Sequence, residues 1–352
     1  REKKIDKNSD AALDFALELG LIAEHTQGVD VKTHLHNWDK YDTDLFLPAR
    51  STAPFRKAEA SWKELDDYIY NAIQYLPQNL QVEALAKMKE IDEPVVPSFT
   101  EKSQSVASTP WQAAVLKNDI LKIEGLSYQM YDAADYQHYL DNYLRAHYGW
   151  ALADIGKPEL DKSKAISISL PAQTIRKEVR KEKKGIRTVN ELVFPERPEV
   201  DRRVYPEKMY VDVLEYKNGK KAEVALTIKG KPAVRLPEAY WLSFNTDDIL
   251  SIVAEKVGER VDLFDVVEKG NRQQHGIDRY VDLVTSSGTI RIWSEAAFLV
   301  NVGEARGINY SLEYPDKKGG IHFNLSNNLW NTNFRMWNEG SLTYRFTIER
   351  ID

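Results

Sequence analysis

Apolar residues recur at helical spacing in the first part of the chain, where three stretches follow the pattern. Residues 9–23, 57–76 and 80–91 each place apolar side chains three or four positions apart, so that these side chains share one helix face. Ser9 can cap the first helix, and Pro77 ends the second. The pattern therefore predicts an N-terminal helical bundle. The apolar positions of the second helix are Trp62, Leu65, Tyr68, Ile69, Ala72, Ile73 and Leu76.

After residue 110 the spacing changes from helical to alternating, which is typical of strands. Residues 210–216 and 221–228 flank Asn218-Gly219, a strong signal for a β-hairpin. Many short strands separated by turn signals predict a large antiparallel β-sandwich, and the whole chain is therefore predicted to be α+β. Further strands are predicted at residues 111–116, 120–123, 281–284, 289–293 and 342–348.

The length of the chain and the change of pattern predict two domains. A chain of 352 residues is too long for one ordinary hydrophobic core. Residues 92–110 are rich in Pro, Ser and Thr and are predicted to be a linker, whereas residues 24–56 are predicted to be irregular. The second domain carries a Tyr-rich helical insertion near residues 132–146. The predicted domains are residues 1–105 and 106–352.

Charge and composition narrow the classes of partner. The net charge is −6 at pH 7, so nucleic acid is not predicted as a partner. The basic run at residues 176–187 is interrupted by Glu178 and Glu182, and it is predicted to be a solvated loop or hairpin. The chain has no Cys, which excludes disulfides and thiolate chemistry. No apolar run is long enough to span a membrane, so no membrane partner is predicted.

Common catalytic motifs are missing from the sequence. It contains no Gly-rich phosphate loop, no His-Glu-x-x-His and no Gly-x-Ser-x-Gly. The chain begins at Arg1 rather than at Met, so we expect a processed or excised part of a longer protein. The periplasm, the extracellular space and the cytoplasm all stay open as locations.

Residues 320–337 have an unusual composition, with five Asn, two Trp and two Phe. A strand built only for packing would be rich in Val and Ile. Asn327, Asn328 and Asn333 carry both donors and acceptors, which suit sugar hydroxyls, a polar joint between domains, or turns at a sheet edge. Trp330 is suited either to stack on a sugar ring or to pack in the core.

A cluster of His and Asp follows the first helix. Imidazole with carboxylate suits a zinc-like metal, and oxygen-rich groups suit calcium. His25 can instead act as a hydrogen-bonding residue at a helix end, because its spacing matches no complete metal motif. His34 and His36 would share one face if their segment is extended.

A second polar cluster occupies residues 270–275, between apolar runs. Arg272 and His275 belong to it, together with Asn271 and two Gln. Such groups can orient a polyhydroxylated ligand through fixed hydrogen bonds. A polar turn that ties the sheets together explains the same residues.

Five segments together resemble a little-characterised family related to the glycoside hydrolase family 38 α-mannosidases. The resemblance covers essentially the whole of this chain, but only the C-terminal portion of such a protein. Residues 322–334, which read His-Phe-Asn-Leu-Ser-Asn-Asn-Leu-Trp-Asn-Thr-Asn-Phe, are the most specific match. The other segments are residues 24–30, 151–160, 236–244 and 270–275.

The resemblance implies an architecture and a set of roles. In the α-mannosidases an α/β barrel with a His-x-Asp metal motif and an Asp nucleophile precedes a helical bundle and a β-sandwich. Residues 1–105 would then hold the end of the catalytic region and the bundle, and residues 106–352 a galactose-mutarotase-like supersandwich. His25 is the implied ligand of a divalent metal, zinc or calcium, in the full-length protein. The implied substrate-binding residues, which would line the sugar pocket or lock the joint to the barrel, are Arg272, His275, Asn327, Asn328, Trp330 and Asn333.

The function implied by the resemblance is retaining hydrolysis of an α-linked sugar. The expected partners are a carbohydrate and an α/β barrel of the same protein, and the nucleophile would lie before Arg1. The isolated chain is therefore expected to be inactive. Two other functions stay open at this point, which are a non-catalytic carbohydrate-binding module and a structural or interaction domain.

Overall fold

The computed structural model describes residues 4–23, 28–94, 96–144, 149–308, 311–331 and 334–351. In this part of the chain a helical region comes first and two antiparallel sheets follow, so the α+β prediction is confirmed. The helices are α1 (Asp10–Ile22), α2 (Val31–His34), α3 (Thr43–Ala49), α4 (Ala53–Gln74), α5 (Gln78–Asp92), α6 (Ala133–Tyr139) and α7 (Gly149–Ile155). A π-helical turn at Leu140–Leu144 follows α6 directly.

Helix α4 is the centre of the helical region. Pro54 lies in its first turn, where the missing N–H would have had no helical partner. Phe55, Ala58 and Trp62 form part of its buried face, and α1, α2 and α5 all contact it. Ser9 caps α1, because its hydroxyl accepts a hydrogen bond from the Ala12 amide at 3.3 Å. The helices predicted at residues 9–23, 57–76 and 80–91 are thus confirmed, whereas their arrangement as a bundle stays a prediction.

Two short helices correct the prediction that residues 24–56 are irregular. Helix α2 has only four residues and is capped by Asp30, whose side chain accepts a hydrogen bond from the Lys32 amide. Helix α3 has seven residues and contains Pro48. Helices of one or two turns are too short to show a hydrophobic period. The pattern could not reveal them for that reason.

The strands begin at residue 104, and helices α6 and α7 lie between β3 and β4. They are β1 (Gln104–Pro110), β2 (Ala113–Val115), β3 (Leu121–Met130), β4 (Ile168–Pro171), β5 (Gln173–Lys181), β6 (Gly185–Val193), β7 (Lys208–Tyr216), β8 (Lys221–Lys231), β9 (Glu238–Asn245), β10 (Ile249–Lys256), β11 (Glu259–Asp262), β12 (Gln274–Gly276), β13 (Tyr280–Thr285), β14 (Gly288–Ser294), β15 (Leu299–Val302), β16 (Ile321–Asn327) and β17 (Gly340–Ile351). Short 3₁₀ turns lie at Lys117–Asp119, Leu160–Lys162, Arg202–Val204 and Lys317–Gly319.

The strands of the described residues form two sheets in which all neighbours are antiparallel. The first has the order β1-β5-β6-β7-β8-β17-β14-β13-β10-β11. The second has the order β12-β15-β16-β9-β3-β2, and β4 also pairs with β3. Hairpins join β5 to β6, β7 to β8 and β13 to β14. The turn between β7 and β8 contains Gly219 at φ +64°, a conformation that favours glycine, as the Asn-Gly signal predicts.

Strand β1 corrects the predicted linker at residues 92–110. It forms the outer edge of the first sheet and pairs only with β5 among the described strands. Its Ser and Thr side chains are mostly exposed, because an edge strand with few covered positions needs little apolar surface. The predicted boundary between residues 105 and 106 falls inside this strand. The division into two domains stays a prediction.

Aromatic side chains join the two sheets face to face. Phe244 of β9 and Phe323 of β16 contact Phe346 of β17, with ring centres 5.5 and 5.1 Å apart. Tyr344 of β17 also donates a hydrogen bond to the Leu325 carbonyl. Because β17 belongs to the first sheet and β9 and β16 to the second, these contacts form a common core, and the β-sandwich is confirmed.

The predicted helical insertion near residues 132–146 coincides with α6 and the π-helical turn. Asp132 and Asp135 form a capping box at the start of α6, in which each side chain bonds to the backbone of the other.

No helix in the described part of the chain is long and apolar enough to cross a membrane.

Candidate functional site

Asn328 lies immediately after β16 and is only 2% exposed. Its Nδ2 is 2.8 to 3.1 Å from the carbonyl oxygens of Val234, Leu236 and Met336. Its Oδ1 accepts a hydrogen bond from the Glu238 amide at 2.7 Å. Every polar atom of this amide is therefore used within the chain, where it joins the start of β9 to the segment that follows β16.

Asn327 and Trp330, on either side of Asn328 and the buried Leu329, are partly exposed. Asn327 donates to Asn324 Oδ1 at 2.8 Å and accepts from the Leu329 amide at 3.2 Å. The Trp330 ring is half-buried and lies 5.5 Å from the Phe334 ring. Asn327 and Trp330 thus keep some surface that a ligand can reach. The predicted residues Asn333 and His25 lie outside the described residues.

Asn331 and Trp337 extend the same segment into the rest of the molecule. Asn331 is 1% exposed and donates from Nδ2 to the Ala153 carbonyl of α7 at 2.8 Å. Trp337 is 3% exposed, and its ring centre lies 4.7 Å from those of Phe46 and Trp62 in the helical region. We call the region around Asn328, Asn331 and Trp337 the joint, because it connects the helical region to the sandwich.

Arg235 lies in the joint and is 1% exposed. Its Nη1 donates to the carbonyl oxygens of Asn37 and Trp38, at 3.0 and 3.3 Å. Its guanidinium lies over the rings of Tyr41 and Phe55, at 4.4 and 5.3 Å from the ring centres. A buried arginine of the sandwich therefore holds the loop between α2 and α3.

Lys157 is a second buried cation of the joint, with 6% exposure. Its Nζ is 3.3 Å from the Trp330 carbonyl oxygen, and no carboxylate among the described residues pairs with it. Burial, with the nearby charge of Arg235, lowers the pKa of Lys157 to about 7. Neither cation was predicted as a site residue. Their sequence positions could have pointed to them. Lys157 falls within residues 151–160 and Arg235 directly precedes residues 236–244, which are two of the segments that carry the family resemblance.

Four of the five segments that carry the family resemblance meet at the joint. Lys32 Nζ lies 3.3 Å from Asp30 and 2.9 Å from Asp154, which links α2 and its cap to α7. Asn331 connects α7 to the segment after β16, and Asn328 connects that segment to β9. The four segments are residues 24–30, 151–160, 236–244 and 322–334, of which residues 24–27 and 332–333 are outside the described part.

His34 and His36 would share one face only on an extended segment, and His34 does not lie on one. His34 is the last residue of helix α2, and its ring is 3.2 Å from Lys57 Nζ. His36 follows in the exposed loop. The described residues contain no group of three or more His, Asp or Glu side chains placed to hold a metal ion. Metal binding by His25 stays a prediction.

The polar cluster at residues 270–275 occupies a different place, at the β12 edge of the second sheet. Asn271 Oδ1 accepts hydrogen bonds from the amides of Gln273 and Gln274, which makes a side-chain turn. Arg272 is 8% exposed and donates to the Leu312 carbonyl at 2.6 Å. This cluster therefore fixes the loop that follows residue 311.

His275 completes the cluster, and it is 5% exposed. Its Nε2 lies 3.0 Å from the Arg272 carbonyl oxygen. Burial lowers the pKa of His275 to about 4, so the ring is neutral at pH 7. His275 pairs with Val300 of β15, which in turn pairs with Phe323 of β16. Asn327 lies further along β16, at its end. The structure therefore brings Arg272 and His275 together at the β12 edge of the second sheet, apart from the joint.

Comparisons with known proteins add three findings. A family model described as "Domain of unknown function (DUF5054)" matches residues 1–112. No curated protein matches the chain. Among solved structures, the chain is similar to an α-mannosidase from Enterococcus faecalis V583, with 9% sequence identity and a TM-score of 0.44 over 97% of this chain and 54% of that one. The chain thus spans about half the length of that mannosidase.

A second solved structure is the Slr1438 protein from Synechocystis sp. PCC 6803. Its sequence identity to this chain is 7% and the TM-score is 0.31. The similarity covers 72% of this chain and 99% of that one.

Proposed function

We propose that this chain is the C-terminal part of an α-mannosidase-like retaining glycoside hydrolase. The observation that supports this most is the meeting of four separate family-like segments at the joint. Catalytic pockets built from several domains need their walls held to a fraction of an ångström. A joint fixed by buried amides, such as Asn328 and Asn331, meets that requirement.

The proposed division of roles follows from exposure. Trp330 and Asn327 keep accessible surface, so we assign them to the pocket wall, and the family resemblance alone adds Asn333. Asn328 is a positioning residue, because all of its amide bonds are internal. Retaining hydrolysis uses two carboxyl groups about 5 Å apart. In this proposal the nucleophile and a His-x-Asp metal motif belong to an α/β barrel that precedes Arg1.

Arg272 and His275 have a supporting role in the proposal. Both are buried, and they fix the loop after residue 311 through the Arg272–Leu312 contact. This loop lies at the β12 edge of the second sheet, apart from the joint. Arg272 and His275 are therefore positioning residues of the sandwich in this proposal, rather than residues of the pocket wall.

The proposed metal site takes only His25 from this chain. The described residues offer no group of three ligands, so zinc or calcium would take its remaining ligands from the barrel. Such a metal polarises sugar hydroxyls when bound.

The proposal is tested on the longer protein that includes the preceding coding region. We expect release of aryl alcohol from an aryl α-mannoside, inhibited by a chelator, and no activity from the present chain alone. His25→Ala should lower both the metal content and the activity by about 100-fold, since lost ligands cost metal affinity strongly. His36→Ala is the matched control, because this exposed residue should leave both unchanged. Full metal content in His25→Ala would contradict the assigned ligand.

A further inference from the structure

A polar cleft of about 450 Å³ lies beside β15, and described residues between β15 and β16 form most of its lining. It shares no residue with the joint. Gln273 precedes β12 and lines one side of the cleft. The other residues that matter for its chemistry are Asn301, Glu304, Arg306, Glu313, Tyr314 and Asp316.

The floor of the cleft contains an unused acceptor. Asn301 is 1% exposed, and its Nδ2 donates to the Arg306 carbonyl. Its Oδ1 is buried and has no hydrogen-bond partner among the described residues. Buried polar atoms are almost always paired in folded proteins. The Asn301 oxygen is therefore a position where a ligand can supply the missing donor.

The group beside Asn301 is neutral. His322 aligns with Asn301 in the pairing of β15 with β16, and its Nδ1 is 2.8 Å from Ser243 Oγ. Burial lowers the pKa of His322 to about 4, so the ring carries no charge at pH 7. The position beside Asn301 thus carries no positive charge, and the guanidinium of the lining belongs to the exposed Arg306.

The rim of the cleft is rich in carboxylates. Glu304 and Glu313 are exposed, and neither side chain forms an ion pair with a described residue. Asp316 Oδ1 accepts from the Lys318 amide at 2.9 Å, which leaves its other oxygen available. Carboxylates accept hydrogen bonds and do not donate them at pH 7. The lining therefore offers several carboxylate acceptors beside the donor groups of Arg306 and Tyr314.

The loop of the cleft is fixed in advance. Gln273 accepts from the Ser311 amide at 3.1 Å and donates to the Glu313 carbonyl at 3.2 Å. Tyr314 is 59% exposed, yet the Arg272 guanidinium lies 4.3 Å from its ring centre. A loop held in this way loses little conformational freedom on binding a ligand.

We propose that this cleft is a sugar-binding site, which takes hydroxyl groups on the Asn301 oxygen and on the carboxylates of Glu304 and Glu313. Hydroxyl groups both donate and accept hydrogen bonds, so a hydroxyl-rich ligand matches carboxylates beside the Arg306 guanidinium, and the excess of carboxylates opposes anions. The described residues form no three-ligand group that would favour a metal ion here. The site goes beyond the proposed hydrolase, because it needs no barrel and no catalysis.

The test is NMR titration of the 352-residue chain with methyl α-mannoside, methyl α-glucoside and methyl β-galactoside. We expect saturable shifts at the amides of Gly303, Ser311 and Gly319, which line the cleft, with at least one of these glycosides. Glu313→Gln and Tyr314→Ala should weaken binding about tenfold each, because the first removes the charge of a carboxylate acceptor and the second removes an exposed ring of the cleft lining. The matched controls Glu259→Gln and Tyr75→Ala change exposed residues elsewhere and should bind as the unchanged chain does.

Two outcomes would overturn the site. One is the lack of saturable shifts at these amides with all three glycosides, and the other is equal binding by the cleft variants and their controls. The result is separate from the hydrolase proposal, since the titration uses no catalytic readout. A chain that binds glycosides here while the longer protein lacks activity would keep the cleft and reject the hydrolase.

Discussion

Asn331 donates its side-chain amide to the carbonyl of Ala153, which lies 178 positions earlier in the chain. The backbone N–H of Asn331 also donates a hydrogen bond to the Asp154 carbonyl at 3.2 Å. These two bonds tie the segment after β16 to helix α7. A buried amide that bonds to main-chain atoms fixes position without relying on the identity of its partner's side chain. Main-chain carbonyl groups of α7 therefore hold this segment of the joint in place.

The first prediction concerns the central amide of the joint. Asn328→Ala leaves the Glu238 amide and several carbonyls without their partner. We expect the free energy of unfolding to fall by about 1–3 kcal/mol, measured by urea denaturation. Asn71→Ala, on the exposed face of α4, should change it by less than about 0.5 kcal/mol. Equal stability of the two variants would show that the Asn328 bonds are unimportant.

The second prediction concerns Lys157. Because its pKa is about 7 in the folded chain and about 10 when unfolded, the unfolded chain binds more protons between these values. The destabilisation by Lys157 is therefore complete below pH 7 and disappears as the pH rises towards 10. Lys157→Met should stabilise the chain by on the order of 3 kcal/mol at pH 6, and this gain should shrink as the pH approaches 10.

A second buried lysine provides the control. Lys231 is paired with Glu238, with Nζ and Oε1 2.5 Å apart. Lys231→Met leaves that carboxylate buried without a partner, so it should destabilise the chain at pH 7 by about 3–5 kcal/mol. Opposite effects of the two substitutions are the expected result. A gain from Lys157→Met that is the same at pH 6 and pH 10 would contradict the assigned cause.

The third prediction concerns the attachment of the helical region. Trp337→Ala removes a ring that contacts Phe46, Phe55 and Trp62, and a large cavity should cost about 3–5 kcal/mol. Trp330→Ala removes a half-buried ring and should cost less. Urea denaturation measures both. A loss below about 1 kcal/mol for Trp337→Ala would indicate that the two parts of the chain are held by other contacts.

The sequence predicted the elements that show a clear pattern over a short stretch of chain. The Asn218-Gly219 turn and the long period of α4 each identified an element correctly. Strand β1 was missed, because its position at a sheet edge requires few apolar residues. Helices α2 and α3 were missed because they are too short to show a period.

The joint shows why long-range sites are difficult to predict. Residues 320–337 suggested a sugar surface, a polar joint or turns at a sheet edge, and composition could not separate the three. The partners of Asn328 lie more than 90 positions away at Val234 and Leu236. Such a bond depends on the pairing of β9 with β16 and on the loops beyond these strands. Arg235 and Lys157 are ordinary charged residues in the sequence, and only folding makes them buried.

The central claim is that this chain is the C-terminal part of a retaining glycoside hydrolase. Sequencing the coding DNA directly upstream of Arg1 tests it most directly. The account predicts an open reading frame that encodes an α/β barrel with a His-x-Asp motif and a suitably placed Asp nucleophile. A start codon or a signal peptide directly before Arg1 would contradict it, because the chain would then have no source of a nucleophile.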